Sequence, residues 1–175
     1  VSAVARIPGG AGVVERTLAQ GMLGLERFHD LMLRINRVGA TFIAAIDGSS
    51  LGGGCELALA CDLRSMADGD FVIGQPETLL GIIPGGGGTQ RLARLLGTGR
   101  AIELVLEGSA LSPAQALEIG LIHRVVAPER LLEDAIETAQ RLARRPRVAV
   151  AAAKRAIYEG GSMDLPAGLH VERAA

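Results

Sequence analysis

A run of three glycines, followed at once by a carboxylate and an apolar stretch, most constrains the fold of this chain: LGGGCELALACD at Leu51–Asp62. The apolar residues 41–46 before it end at a turn, which predicts a short buried strand. Strand, tight turn and helix in this order direct free backbone N–H groups at whatever lies over the helix N-terminus. Gly53 has no Cβ, and Glu56 lies one helical turn further along the same face. A backbone donor and a carboxylate are therefore predicted to converge, although the pattern also fits a plain helix start with a surface glutamate.

Length and composition limit the classes of partner. The chain has 175 residues, of which 49% are apolar, and a formal net charge of −1. With three Phe, one Tyr and no Trp there is little to stack on bases, so we expect no nucleic-acid partner. No apolar run approaches the ~20 residues that cross a bilayer, so we expect no membrane partner. The high apolar content is expected to lie partly in an oligomer interface.

Cysteines and histidines show no metal-binding pattern. Cys55 and Cys61 lie on one predicted helix and point in different directions, so they cannot form a disulfide with each other. Buried free thiols suit a reducing compartment, and nothing at the N-terminus resembles a signal peptide, so we expect a cytoplasmic protein. His29, His123 and His170 are scattered, and we expect no bound metal.

Short strands alternating with helices predict an α/β or α+β fold. Helices are predicted over residues 14–37, 53–61, 89–96, 100–106, 113–120, 129–145 and 148–158, with a helical turn at 76–80; strands are predicted at 41–46, 63–66, 71–73 and 121–126. Apolar stripes of the first and sixth helices are expected to face the core: Leu18, Met22, Leu25, Phe28, Met32 and Ile35, then Leu131, Leu132, Ala135, Ile136, Ala139 and Leu142. Ser112 and Gln115 have the spacing of a capping box.

One motif suggests a serine nucleophile. The residues GSSLG at 48–52 form a G-x-S-x-G pattern between a strand and a helix, with Ser50 as the candidate nucleophile. Against this hypothesis, the serine lies early in the chain, His123 falls in a predicted strand and the three glycines would have no role. The phosphate-binding loop fails because no Lys follows the glycines of residues 48–55, and the dinucleotide fingerprint G-x-G-x-x-G fails on spacing.

Two glutamates, Glu56 and Glu77, each open a helix just after a turn. Two carboxylates in one low-dielectric site have separated pKa values, so one can act as an acid while the other acts as a base. A backbone donor at Gly53 would stabilise a developing oxyanion. This combination suits proton transfer beside a carbonyl group, but two ordinary glutamates in first helical turns would give the same pattern.

Two blocks of the sequence resemble the enoyl-CoA hydratase/isomerase (crotonase) family. They are IAAIDGSSLGGGCELALACDL at residues 43–63 and GQPETLLGIIPGGGGTQRLARLLG at residues 74–97; the later SPAQALEIGLIHRVV is also similar. The resemblance covers residues 25 to 156. It implies a crotonase/ClpP-like spiral of short strands and helices over residues 1–127, followed over 128–175 by the start of the helical oligomerisation region.

The resemblance also implies site residues. Family members bind acyl-CoA thioesters, so Gly53 would donate to the thioester oxygen, Glu56 would be the base and Glu77 the acid. Gly85 would hold the catalytic water. Having both glutamates favours syn hydration of a trans-2-enoyl-CoA in fatty-acid β-oxidation, by a homotrimer or hexamer with no cofactor beyond the coenzyme A of the substrate. Isomerase or other family chemistry, and a non-catalytic oligomerising protein, remain alternatives.

One family pattern is missing. The second oxyanion donor of the family lies in an A-x-x-x-G-x-D segment, and no such segment occurs here. Residues 9–12 are glycine-rich but have no Asp, and residues 1–6 are expected to lead into a loop without a strand. The chain also begins with Val1 rather than Met and stops at Ala175. We therefore expect a chain truncated at both ends, with weak or no activity by itself.

Overall fold

The computed structural model describes residues 3–7 and 18–175, with side chains from residue 22 onward. Strands and helices alternate along the chain, as the sequence predicts. In chain order they are β1 (Ala3–Ile7), α1 (Leu18–Arg37), β2 (Phe42–Ile46), β3 (Ser50–Leu51), α2 (Gly53–Ala60), β4 (Leu63–Ala67), β5 (Ile73–Gly74), α3 (Gly88–Leu96), α4 (Thr98–Glu107), β6 (Ala110–Leu111), α5 (Pro113–Glu118), β7 (Arg124–Val126), α6 (Leu131–Ala143), α7 (Arg147–Arg155) and α8 (Leu165–Arg173). Short 3₁₀ helices lie at Glu77–Leu80 and Pro128–Arg130, and a π-helical turn lies at Ala156–Gly160.

A four-stranded parallel sheet in the order β1-β2-β4-β7 lies at the centre of the fold. Strand β2 is covered on both faces, which explains why the predicted strand at 41–46 is a continuous apolar run. Ile43 and Ala45 pack with Ala135 of α6 on one face. Ala44 and Ile46 pack with the cluster around α2 on the other.

Strand β1 corrects one prediction. We expected residues 1–6 to enter a loop with no strand before residues 9–12, but Ala3–Ile7 pairs in parallel with Phe42–Ile46, with Ala3 opposite Phe42. Five residues carry too little local signal to reveal a strand whose partner lies almost forty residues away. The predicted loop at Pro8–Gly12 and the predicted start of α1 near Val14 lie outside the described residues.

Among the described side chains of α1, from residue 22 onward, those in the C-terminal half of the helix contribute to the core. Met32 and Ile35 are buried and pack with Ala60, as predicted, whereas Met22 and Leu25 are exposed, so the predicted inward orientation of these two residues is wrong. The side chain of Leu18 lies outside the described residues. Amphipathic spacing identifies the apolar face of a helix but not how far along the helix the neighbouring element extends.

The core-facing stripe of α6 is also narrower than predicted. Leu131, Ala135 and Ala139 are buried against the central sheet, but Leu132 and Ile136 are exposed. Leu142 is partly buried and packs with the same cluster, as predicted, and Thr138 is buried beside it. The expected division of the chain at residues 127 and 128 stays a prediction.

A second, small sheet positions the candidate site. Strand β3 pairs in parallel with β5, and β5 pairs antiparallel with β6. The predicted strand at 71–73 is thus only the two residues Ile73–Gly74. A Cβ at Gly74 would lie 2.4 Å from the carbonyl oxygen of Ser109, so only glycine allows this close pairing. The Ser112–Gln115 capping box forms as predicted.

An ion pair with little solvent exposure attaches α7 to the core. Lys154 of α7 donates to Asp62 at 2.8 Å and also to the carbonyl oxygens of Ile35 and Ala40, at 2.8 and 2.7 Å. The π-helical turn that follows brings the hydroxyl of Tyr158 to 2.9 Å from the other oxygen of Asp62. We call Asp62, Lys154 and Tyr158 the clasp. Among the described helices, none is both long and apolar enough to span a membrane.

Candidate active site

The N-terminus of α2 is built on a glycine that no other residue could easily replace. Gly52 has φ 55°, in the left-handed region, and its N–H donates to the Gly74 carbonyl oxygen at 3.0 Å. A Cβ there would lie 3.0 Å from Oε1 of Glu77. Gly53 follows as the exposed first residue of α2, a position whose N–H has no partner within the helix. The Glu77 carboxylate and the start of α2 are therefore adjacent.

Glu56 is buried in the first turn of α2, with only 3% of its surface exposed. Its Oε1 accepts hydrogen bonds from the N–H groups of Gly86 and Gly88, at 2.7 and 2.8 Å. A Cβ on Gly86 would lie 2.3 Å from Oε2 of the same carboxylate. The second glycine run thus lets the backbone approach and hold Glu56 without a cation, a contact that the sequence did not predict.

Glu77 lies at the start of the 3₁₀ helix and is 9% exposed. Burial raises its pKa above the ordinary value, the negative charge of Glu56 raises it further, and a hydrogen bond from its own backbone N–H opposes the rise. Glu77 therefore holds its proton more tightly than an exposed glutamate does. The structure brings the two predicted glutamates into one electrostatically coupled site.

Gln75 is a site residue that the sequence analysis missed. It is 1% exposed, and its amide is oriented so that the nitrogen faces Glu77, because only that orientation satisfies both ends of the amide. The nitrogen then donates to the two carboxylate oxygens at 2.9 and 3.0 Å. These bonds hold the carboxylate in place and stabilise its ionised form. An amide two residues before Glu77, directly after strand β5, was the available signal.

Gly85 opens the loop that holds Glu56. Its carbonyl oxygen accepts a hydrogen bond from Nε2 of His29, at 2.5 Å, which ties the loop to α1. His29 therefore has a structural contact, in line with the expectation that it is not catalytic. The role of the Gly85 N–H in holding water stays a prediction.

Ser50 lacks the surroundings of a serine nucleophile. Its hydroxyl is buried, and Oγ has no hydrogen-bond partner among residues 22–175. His123 is engaged elsewhere, because its Nδ1 accepts from the backbone N–H of Arg64 at 3.1 Å. Burial lowers the pKa of His123, and the charges of Arg64 and Arg124 lower it further. The described residues therefore give Ser50 no general base.

Both cysteines are free and buried, as the sequence predicts. Burial raises the pKa of the Cys55 thiol to about 12 and that of Cys61 to about 11. Both therefore stay protonated at neutral pH and act as small apolar side chains.

Comparison with known proteins defines the class and then the family. An enoyl-CoA hydratase from Bacillus anthracis has the same fold, with a TM-score of 0.87 and 43% identity, over 91% of this chain and 61% of that one. The fold is therefore the predicted α/β crotonase fold. A profile of the enoyl-CoA hydratase/isomerase family matches residues 12–175, and the chain belongs to this family.

Two relatives illustrate the extent of the match. A putative enoyl-CoA hydratase/isomerase of Bacillus subtilis is 51% identical over 133 residues, which are 76% of this chain and 51% of that protein. A short-chain-enoyl-CoA hydratase of Clostridium acetobutylicum is 43% identical over 155 residues, 89% of this chain and 58% of that protein. The chain thus spans between half and three fifths of the length of these relatives.

Proposed function

We propose that the intact protein is an enoyl-CoA hydratase that adds water to a short-chain trans-2-enoyl-CoA thioester. The observation that carries this proposal is the meeting of two buried carboxylates, Glu56 and Glu77, at the N-terminus of α2. The family match and the short-chain-enoyl-CoA hydratase relative support the substrate class.

Each residue then has one task. Glu56, fixed through Oε1, has Oε2 available to accept a proton from water, whose oxygen forms a bond to Cβ of the substrate. The electrons of the double bond move towards the thioester oxygen, where the N–H of Gly53 stabilises the negative charge. Glu77, whose pKa burial raises, delivers its proton to Cα and completes the addition. The N–H of Gly85 positions the water.

Both carboxylates act from one side of the substrate, which accounts for syn addition. No cofactor takes part beyond the coenzyme A of the substrate. We further propose a cytoplasmic homotrimer or hexamer acting in fatty-acid β-oxidation. The exposed apolar side chains of Leu79, Leu80, Ile82 and Ile83 support an oligomer, because such patches are unusual on a monomer surface.

The proposal is tested by replacing Glu77 with Gln in the intact protein and following hydration of crotonyl-CoA. Removing a general acid typically costs about a hundred- to ten-thousandfold in rate, so we expect turnover to be abolished or nearly so. Glu118→Gln, at an exposed glutamate of α5, is the matched control and should retain full activity. Near-normal turnover of Glu77→Gln would refute the assignment.

Glu56 separates hydration from double-bond isomerisation, the other reaction that the family name includes. Hydration needs a base to activate water, whereas isomerisation moves one proton along the substrate and can proceed with Glu77 alone. We expect Glu56→Gln to abolish hydration. If this variant keeps its rate on a 3-enoyl-CoA while the wild type hydrates crotonyl-CoA poorly, the isomerase alternative is correct instead.

A further inference from the structure

One face of α1 packs on the second glycine run. Leu25, Phe28 and His29 have the i, i+3, i+4 spacing that places side chains on the same side of a helix. A Cβ built on Gly85 would lie 3.3 Å from Cδ1 of Leu25. One built on Gly86 would lie 2.3 Å from Cε1 of Phe28. The first two glycines of the run are therefore in close contact with this face of α1.

His29 adds a directed polar contact to this face. Its Nε2 lies 2.5 Å from the carbonyl oxygen of Gly85. Because a carbonyl oxygen can only accept a hydrogen bond, Nε2 carries a proton in this arrangement, whether the ring is neutral or charged. The side chain of His29 is exposed, so its replacement leaves no cavity in the core.

Two hydrogen bonds at this point share one peptide group. The carbonyl oxygen of Gly85 and the N–H of Gly86 belong to the same planar amide. The carbonyl end of this amide accepts from His29, and its N–H end donates to Oε1 of Glu56 at 2.7 Å. A continuous chain of two hydrogen bonds thus leads from the imidazole ring to the carboxylate of the proposed base.

Hydrogen bonds in such a chain strengthen one another. A donor at the carbonyl end polarises the amide, and this makes the N–H at the other end a stronger donor. Glycine backbone is also the least restricted in φ and ψ, so the position of this run depends on its contacts. Loss of the His29 donor is therefore expected to weaken the bond from Gly86 and to loosen the run around it.

The second donor to the same carboxylate is supported differently. The N–H of Gly88 donates to the same oxygen at 2.8 Å. The carbonyl oxygen of its peptide group, that of Gly87, accepts from the backbone N–H groups of Gln90 and Arg91 in the first turn of α3. A helix therefore supports this donor, whereas an imidazole ring of α1 supports the other.

We propose that His29 is a positioning residue of the hydration reaction: it holds the peptide between Gly85 and Gly86 so that the N–H of Gly86 keeps Glu56 aligned with the catalytic water. This inference rests on the proposed function, because His29 acts through the base and not on the substrate. The peptide is thereby held from both sides, by α1 at its carbonyl end and by α2 at its N–H end.

The test compares His29→Leu, which removes the donor, with His29→Gln, whose amide nitrogen can take the place of Nε2. We expect kcat for crotonyl-CoA hydration by the intact protein to fall about three- to tenfold in His29→Leu, the scale of one net hydrogen bond. KM should change little, because the base acts on water and not on the bound thioester. His29→Gln should recover most of the rate.

His170→Leu, at an exposed histidine of α8, is the matched control and should retain full activity. A wild-type rate in His29→Leu would overturn the proposal. Equal rates in His29→Leu and His29→Gln would also overturn it, because a positioning role requires that a donor restores activity.

The amide proton resonances of the substrate-free intact protein provide a readout without turnover. The Gly86 resonance should move upfield in His29→Leu, since a weaker hydrogen bond leaves the proton more shielded, while that of Gly88 stays in place. Movement of both resonances, or of neither, would contradict the link through the Gly85 carbonyl group. Absence of hydration by the wild type would refute the hydratase proposal, and the Gly86 resonance would still decide whether His29 holds this peptide.

Discussion

Two regions of the molecule bury carboxylates in opposite ways. Asp62 in the clasp is held by a cation, Lys154, and by the hydroxyl of Tyr158. Among the residues that the structure describes, the donors that hold Glu56 and Glu77 are neutral: two backbone N–H groups and the amide of Gln75. A cation compensates the charge of a carboxylate directly, whereas neutral donors fix its position through hydrogen bonds and leave the charge uncompensated. The comparison teaches that the stabilising carboxylate has a cationic partner, whereas the two proposed reactive carboxylates, which are at least as buried, have neutral ones.

The strongest test of this comparison is Lys154→Met, which removes the cation from the clasp. Asp62 would remain as a buried charge without its counter-ion, which typically costs about 3–5 kcal/mol in free energy of unfolding. Urea denaturation measures the loss. Arg100→Met breaks an exposed ion pair and should cost no more than about 1 kcal/mol. Equal losses in the two variants would show that the clasp is no different from a surface pair.

Gly86→Ala tests the neutral donors in the other region. The added Cβ would lie 2.3 Å from Oε2 of Glu56 and from Cε1 of Phe28, so the loop must move and Glu56 loses its position. We expect crotonyl-CoA hydration by the intact protein to fall about a hundredfold, the usual scale for a displaced catalytic group. Gly99→Ala is the control, since a Cβ there meets nothing within 4 Å. Full activity of Gly86→Ala would contradict the assigned role of the loop.

Gln75→Met tests the neutral side-chain donor that holds Glu77. Loss of the amide donor removes stabilisation of the carboxylate, so the pKa of Glu77 rises further. We expect turnover to fall about tenfold, on the scale of one net hydrogen bond. The rate falls at high pH because Glu77 loses its proton, and we expect this fall to move to higher pH in the variant. Gln115→Met, which removes the capping amide of α5, should leave the profile unchanged. If the high-pH fall of the pH–rate profile did not move in Gln75→Met, Gln75 would have no positioning role at Glu77.

The smallest expected effect is that of Glu77→Gln on the pH dependence of the free energy of unfolding. Its pKa is raised in the folded state, so its contribution to stability is fully present below the ordinary value of 4.5 and is lost as pH rises from there through the folded pKa. Glu77→Gln should therefore be more stable than the wild type at neutral pH, and the difference should shrink at pH 4. Urea titrations at both pH values measure this. A constant difference would mean that the proton on Glu77 is not linked to folding.

The sequence predicted the elements whose signals are local. Glycine spacing and a first-turn carboxylate were enough to identify the start of α2 and Glu56, and residues 41–46 read directly as a buried strand. Sequence reasoning missed two kinds of contact. Gly86 and Gly88 donate to Glu56 from 30 and 32 residues away. The amide of Gln75 contacts Glu77 only two residues later, but the direction of a side chain does not follow from its position in the sequence. Periodicity describes one element at a time, so neither register nor the extent of burial along a helix follows from it.

The clasp is also expected to affect the lifetime of the native state. Lys154 joins carbonyl groups that lie 119 and 114 residues earlier in the chain, so its bonds close two of the longest loops in the fold. Loops of this length are entropically costly, and their contacts form late in folding. Interactions absent from the transition state act on the unfolding rate alone. We therefore expect the clasp to act mainly on the unfolding rate, and so on the lifetime of the native state.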